Sequence, residues 1–389
     1  MTDNEITARL AGSAASVGEA AWNACANPQS AADPHPFTRF EFFSTLEDSG
    51  SASARTGWRP CHLVIERDGR VQGLLPLYLK SHSQGEYVFD WGWADAFERA
   101  GGSYYPKLQA SVPFTPVTGR RLLVAKDAPL EETRNALLAA GAAAVTELHA
   151  SSLHVTFLTE EEWKAAGALG FLQRNDQQFH WNNRGYANFD QFLAELSSAK
   201  RKNLRKERAA VFAEGVEFEW LSGRDITEAH WDQFFAFYMD TGGRKWGRPY
   251  LTRDFFSRVG QSMGEQIVLI LARRGGRYIA GALNFSGEGV LFGRNWGCTE
   301  SIPFLHFETC YYQAIEFAIA RGLSRVEAGA QGEHKLLRGY LPVPTYSAHF
   351  IAHPGLRRAV ADFLSAERKA VAENIEVLAE HGPYRKSES

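Results

Sequence analysis

The densest run of reactive side chains is Gly329-Ala330-Gln331-Gly332-Glu333-His334-Lys335-Leu336-Leu337-Arg338-Gly339. Glycines there let the backbone approach a ligand closely, and free N–H groups at a helix start attract anions, to which Lys335 and Arg338 add charge. An acyl transfer to an amine needs a proton acceptor for the nucleophile and donors for the developing oxyanion. His334 or Glu333 can serve as the first, backbone N–H groups, Lys335 or Arg338 as the second, and Gln331 stands beside them as a binding residue. In a helix His334 and Arg338, four apart, share one face. The plainer reading of the same residues is a helix cap with a solvated ion pair.

A second candidate is Lys200-Arg201-Lys202-Asn203-Leu204-Arg205-Lys206-Glu207-Arg208, whose Arg201, Arg205 and Arg208 fall on one helical face beside Lys200. Such a face suits the phosphates of a nucleotide, CoA or tRNA, although charge runs on helices are most often simply solvated. Between Thr241 and Leu251, glycines combine with Arg244, Trp246 and Tyr250, a composition suited to closing over an anionic or planar ligand. Tyr105 and Lys107, in Tyr104-Tyr105-Pro106-Lys107, are candidates to close the site from the first half of the chain. His306, Glu308 and Tyr312 lie on an apolar helix, where buried polar residues more often satisfy one another than react. They are therefore read as supporting the site.

Metal chemistry is not indicated, since His306-x-Glu308 lacks the spacing of a ligand set and no HExxH occurs. The Q/R-x-x-G-x-G/A pattern associated with acetyl-CoA pyrophosphate binding occurs only at Arg9, Gly12 and Ala14, ahead of any strand, and is read as chance.

Elements must position these residues. Arg59 to Lys80 reads as two apolar strands joined by Asp68-Gly69, a dipeptide favoured in tight hairpins. Glu86 to Trp93 reads as a third strand, followed by a loop rich in Gly, Tyr and Pro up to Pro116. Glu131 to Ala144 is an alanine-rich helix, Ser152 to Leu158 a strand, and Glu160 to Ala168 a helix capped by Thr159. A second round opens with a strand at Gln177 to Asn182 and a long helix from Asp190, its N-cap, to Glu214. A helix over Thr227 to Met239 and three strands from Gln266 to Gly297 follow. Arg273 to Leu283 echoes Glu66 to Leu75, which suggests a duplicated unit. Phe304 to Ala320 is apolar nearly all round and predicts a buried helix, with a strand at Arg325 to Ala328, a last strand near Ser347 to Ile351 and a polar helix over Leu356 to Glu380.

With 389 residues and 44% apolar content the chain exceeds the usual size of one compact domain. Boundaries are read at 1–168, 169–354 and 355–389, the last a helix and tail. A net charge of -3 excludes a globally basic nucleic-acid binder and leaves only local patches. Cys25, Cys61, Cys298 and Cys310 lie far apart, so reduced thiols and a cytoplasmic setting are expected. Neither a signal peptide nor a membrane-spanning run is evident.

Leu305-HFETCYYQAIEFAI-Ile319 and Gly329-AQGEHKLLRG-Gly339 resemble the FemAB-like family of predicted N-acyltransferases, often labelled peptidoglycan biosynthesis/recognition proteins. Tyr104 to Leu108, Pro113 to Leu123 and Lys200 to Arg208 support the resemblance, which extends over nearly the full length. It implies an α/β fold of two tandem GNAT-like domains, each a mixed, mainly antiparallel sheet flanked by helices. It also implies transfer of an acyl or aminoacyl group to an amine acceptor, in better-studied relatives a cell-wall precursor. No tightly bound cofactor is expected; acyl-CoA or aminoacyl-tRNA would be the donor, the acceptor a small molecule or peptide, and tRNA a partner the basic helix would suit. The rival from another class is a non-catalytic protein that binds a cell-wall or nucleotide-linked ligand.

Overall fold

The structure, a computed structural model, describes residues 6–246, 249–329 and 332–385, except for the side chains of 244–246. The chain forms two compact units, Met1–Asp176 with Pro344–Glu373 and Gln177–Val343 with Asn374–Ser389. Against boundaries read at 168 and 354, residues 169–176 and 344–373 fall in the first unit and 374–389 in the second. Tyr346 to Ile351 pair with the strand Ser152–Leu158, and Leu356, Val360 and Leu364 of the following helix pack on Trp93 and Tyr104.

In the first unit, Ile6–Ala11, His62–Arg67, Arg70–Leu75 and Leu123–Val124 form an antiparallel sheet in that order. The Asp68-Gly69 turn has positive φ at both residues (51° and 72°), the conformation that the dipeptide favours. Trp58–Pro60, Leu77–Lys80, Lys107–Ala110, Ser152–Leu158 and Leu341–Ile351 build a second, mixed sheet, parallel only between Lys107–Ala110 and Ser152–Leu158. The helix Leu130–Glu147 buries Leu137, Leu138 and Val145 against Leu108, Leu153 and Val155 of this sheet.

The opposite face of that sheet is buried and polar. Register sets Lys80 beside Lys107, Gln109 beside His154 and His154 beside His349. A buried ammonium needs a carboxylate, and Lys107 Nζ has two, Glu86 at 2.7 Å and Asp90. Tyr104 donates its hydroxyl to Asp90 at 2.7 Å. Burial alone would raise Asp90, but Lys107 holds it well below the usual carboxylate range. That demand explains why the strand expected over Glu86 to Trp93 is not formed. The segment instead delivers two acids to Lys107, and the chain turns at Asp90 into the helix Trp91–Arg99.

The second unit has the strand order Val216–Leu221, Ile267–Arg274, Arg277–Gly287, Val290–Cys298, Arg325–Glu327 and the end of Leu172–Asn182. All pairings are antiparallel except that of Val290–Cys298 with Arg325–Glu327. The helix expected from Asp190 to Glu214 is interrupted. Phe189–Glu195, N-capped by Asn188 through Gln191 N at 3.0 Å, is followed by Ser198–Ala213. At the break Ser197 N donates to the Pro383 carbonyl and Arg385 N to that of Glu195, both at 2.9 Å. The chain end thus satisfies backbone groups that a continuous helix would have used itself.

Glu228–Trp246 runs past Met239, so the glycines at 242 and 243 belong to a helix rather than a loop, and a further helix, Arg253–Met263, is capped by Thr252. Phe304 to Ala320 is helical as expected but carries a π turn at Glu308–Tyr312 between Leu305–Phe307 and Gln313–Ala320. The fold class is that read from the sequence, two α/β units with mixed, mainly antiparallel sheets flanked by helices.

Gly297 lies where Glu228–Trp246 crosses the sheet, and a Cβ there would sit 2.1 Å from the Phe237 carbonyl oxygen. Gly297→Ala is expected to destabilise the protein by about 1–3 kcal/mol, the usual cost of overpacking. Gly92→Ala, an exposed position with nothing within 4 Å, is expected to leave the urea midpoint unchanged or slightly raised.

Candidate active site

The central strand Val290–Cys298 pairs with Arg277–Gly287 as far as Cys298, but its parallel pairing with Arg325–Glu327 covers only Val290, Leu291 and Phe292. Beyond Phe292 that edge has no strand partner among the described residues, and Gly293 to Trp296 are half-buried. Unpaired strand edges present N–H and C=O groups to whatever fills the gap. A cleft opens here.

One wall is a shelf of rings. His306 stands 5.1 Å from Trp296, 5.3 Å from Tyr311 and 6.2 Å from His334 between ring centres, and Phe307 lies 5.5 Å from His334. The π turn, a feature frequent at functional sites, sets Tyr311 and Tyr312 in this wall. A hydrogen bond of 2.9 Å joins the Tyr311 hydroxyl to His334 Nε2.

The other wall is the short 3-10 helix Glu333–Arg338, entered through Gly332 at φ 115°. The His334 ring folds back so far over Gly332 that a Cβ there would lie 2.4 Å from its Cε1. Only glycine permits this pose. Lys335 points inward and is buried, with Nζ donating to the Gly329 carbonyl at 2.9 Å. Burial pushes its ammonium down to about 8, and no carboxylate partner appears among the described residues. An ammonium with one carbonyl partner retains donors for a second acceptor.

Arg338 does not serve as the substrate residue expected. It is buried over the Phe307 ring at 3.4 Å, donates to both oxygens of Glu207 at 2.8 and 2.9 Å and to the His334 carbonyl at 2.7 Å. Tyr312 also donates to Glu207. Arg338 therefore anchors the short helix to Ser198–Ala213. Glu333 points to solvent, away from the buried Lys335.

The basic face is largely committed. Arg205 pairs with Asp190 at 3.3 Å, and Arg208 with Glu308 and Glu316 at 2.9 Å each. Lys200 and Arg201 are half-buried and make no ion pair among the described residues. Glu308, fully buried, also accepts from Gln313 at 2.8 Å, so with Arg208 it forms a structural cluster behind the shelf. Tyr105 and Lys107 lie in the first unit. Lys107 is consumed there by Glu86 and Asp90, and Tyr105 shares a hydrogen bond of 2.8 Å with Ser83. Lys107 is thus structural and not available for substrate. Gln331 and the side chains of Arg244 and Trp246 lie outside the described residues.

Two residues not singled out from the sequence stand where the strands part. Glu327, the last residue of its strand, is the register partner of His180, whose Nε2 is 3.7 Å from Glu327 Oε2. Burial pushes the Glu327 carboxyl up to about 7, opposed by Arg325 at 2.9 Å from the other oxygen. His180 is pushed down to about 3, first by burial and then by Arg325 and Lys335. A three-residue strand gives no sequence signal for such a pair.

A FemAB-like profile, described as peptidoglycan biosynthesis/recognition, matches residues 13–386. The chain belongs to the FemAB-like family. Among solved structures this FemAB-like protein is similar to FemX, with a TM-score of 0.55, 14% identity, and coverage of 88% of this chain and 98% of that one. It is also similar to L-PGS from Bacillus licheniformis, with a TM-score of 0.50, 11% identity, and coverage of 85% and 98%. At such identities the likeness is one of fold. No curated protein matches the sequence. Among the described residues no helix is long and apolar enough to cross a membrane.

Keeping Lys335 in this place costs stability. Its folded value near 8 lies below the ordinary 10.5, so the cost is fully present below pH 8 and fades as pH rises towards 10.5. Lys335→Met is expected to stabilise the protein by about 1–3 kcal/mol at pH 7, an order of magnitude set by the size of the shift. It should also abolish the gain in stability between pH 8 and 10.5 in urea titrations. Arg338→Ala, which strands Glu207, is expected to cost about 3–5 kcal/mol.

Proposed function

We propose that this FemAB-like protein is an acyltransferase that forms an amide by moving an acyl or aminoacyl group onto an amine, with a cell-wall precursor as acceptor. The observation that carries this reading is the buried Lys335 ammonium, whose one hydrogen bond among the described residues goes to the Gly329 carbonyl and which has no carboxylate beside it there. Acyl transfer builds negative charge on the carbonyl oxygen, and a preorganised, desolvated donor aimed there lowers the barrier most. Lys335 supplies that donor. The ring shelf of Trp296, His306, Tyr311 and His334 gives an acceptor a planar surface to lie on, and His334, exposed and oriented by Tyr311, meets its polar end.

Family membership supports the reaction class, and the fold shared with FemX agrees with it. Aminoacyl-tRNA is the donor we favour. Lys200 and Arg201 are cations of the basic helix without an ion pair among the described residues, as a phosphate backbone would require.

Purified protein is to be incubated with aminoacyl-tRNA or acetyl-CoA and with UDP-linked muropeptide, following both thermal stability and amide formation. Aminoacyl-tRNA should raise the melting temperature, and Lys200→Ala/Arg201→Ala should weaken that shift without lowering intrinsic stability. Lys335→Ala should lower kcat about 10²–10³-fold, as loss of one oxyanion donor does. Activity should fall as pH rises through about 8, where Lys335 loses its proton. Stabilisation by a ligand with no turnover in any pairing would instead identify a binding protein.

A further inference from the structure

Glu327 is a buried acid with one carboxylate oxygen left incomplete among the described residues, as are Glu86 and Asp90 of the first unit, but it alone of these stands where the sheet of the second unit divides. Its Oε1 meets Arg325 at 2.9 Å, but Oε2 is buried with no hydrogen-bond partner among the described residues, facing His180 Nε2 at 3.7 Å. An orphaned carboxylate oxygen costs free energy, and such atoms persist where something else completes them. Its position is specific as well. Glu327 ends the parallel pairing with Val290–Cys298, so it stands at the apex where the two strands separate.

The charged and titratable groups around it come from three elements. They are Arg325 on its own strand, His180 on the neighbouring strand, and Lys335 on the short helix, whose charge reaches His180. His180 is neutral across the physiological range, because burial and the two cations disfavour its charged form. The site therefore holds a carboxylate with a vacant acceptor and an ammonium with spare donors.

Resting on the acyl-transfer reading, we infer that Glu327 is the proton acceptor for the incoming amine, and that the acceptor enters as a primary ammonium met by Glu327 Oε2. The ammonium gives one proton to the carboxylate, leaving a neutral amine and a carboxylic acid. The amine nitrogen attacks the acyl carbon. A C–N bond forms, the C–O or C–S bond to the donor breaks, and one of the two protons left on the nitrogen passes to the departing oxygen or sulfur while the other stays on the amide. Glu327 then releases its proton to solvent. A base poised near neutrality is the kind such a step needs, and burial places Glu327 there, at about 7.

The test compares wild type with Glu327→Gln and Glu327→Asp, using UDP-linked muropeptide with aminoacyl-tRNA or acetyl-CoA across pH 5.5 to 9. Thermal melts check folding. Wild-type kcat should rise with pH through about 7. Glu327→Gln should lower kcat at least about 100-fold and erase that rise, as loss of a general base does. Glu327→Asp should restore part of the rate together with the acid limb. Turnover in Glu327→Gln within a few-fold of wild type, with the acid limb intact, overturns this assignment and leaves the transferase reading standing. A wild type that turns over with neither donor overturns both.

Discussion

Everything at the site follows from a mismatch in strand length. A strand of three residues, Arg325–Glu327, lies parallel to one of nine, Val290–Cys298. The longer strand keeps its antiparallel partner to the end, so the sheet cannot simply stop. It divides, and the next element beyond Glu327 is a single short helix, entered through Gly332. That entry brings His334 over Gly332 and drives Lys335 inward. Backbone hydrogen bonding, an obligatory demand of the chain, thereby creates both the vacancy and the groups that border it.

The two units treat buried lysines differently. In the first, Lys107 is closed in by two carboxylates, Glu86 and Asp90, with Tyr104 donating to Asp90 and His154 bonded to His349 at 2.7 Å. Such a network fixes the packing of a polar sheet face. In the second, Lys335 has no carboxylate among the described residues and one hydrogen bond, to the Gly329 carbonyl. A group perturbed by burial without a charge partner is the kind that functional sites hold. Arg338 and Glu308 show the other arrangement within the second unit, for both are buried ions paired with an opposite charge, and both serve the frame.

How far the sequence could be read depended on the range of the forces involved. The Asp68-Gly69 hairpin, the strand Ser152–Leu158 and the helix capped by Thr159 are decided by neighbours in the chain, and each appears where local chemistry puts it. The break at Leu196 to Ser197 is set by residues 383–385, and no local pattern announces it. Arg338 was read as a ligand because its cluster is rich in charge, while its partner, Glu207, lies 131 positions away. Lys107 was misread for the same reason, its acids being 17 and 21 positions distant. The segment Gly329 to Gly339 was legible as a reactive cluster, and it contributes His334 and Lys335 to the proposed site. Glu327 and His180 were not, since only strand register brings them together.

The return of residues 344–373 to the first unit has a consequence for synthesis on the ribosome. The strand Ser152–Leu158 is made well before its partner, Tyr346 to Ile351. His154 likewise waits for His349, and Trp93 for Leu356. Until then that strand keeps an open edge, the feature that invites pairing with other chains. The second unit waits for later residues as well, since its helix break at Leu196 to Ser197 is completed by Pro383 and Arg385. Each unit is therefore closed by a segment made long after its own strands, and the first holds its open edge through the synthesis of most of the second.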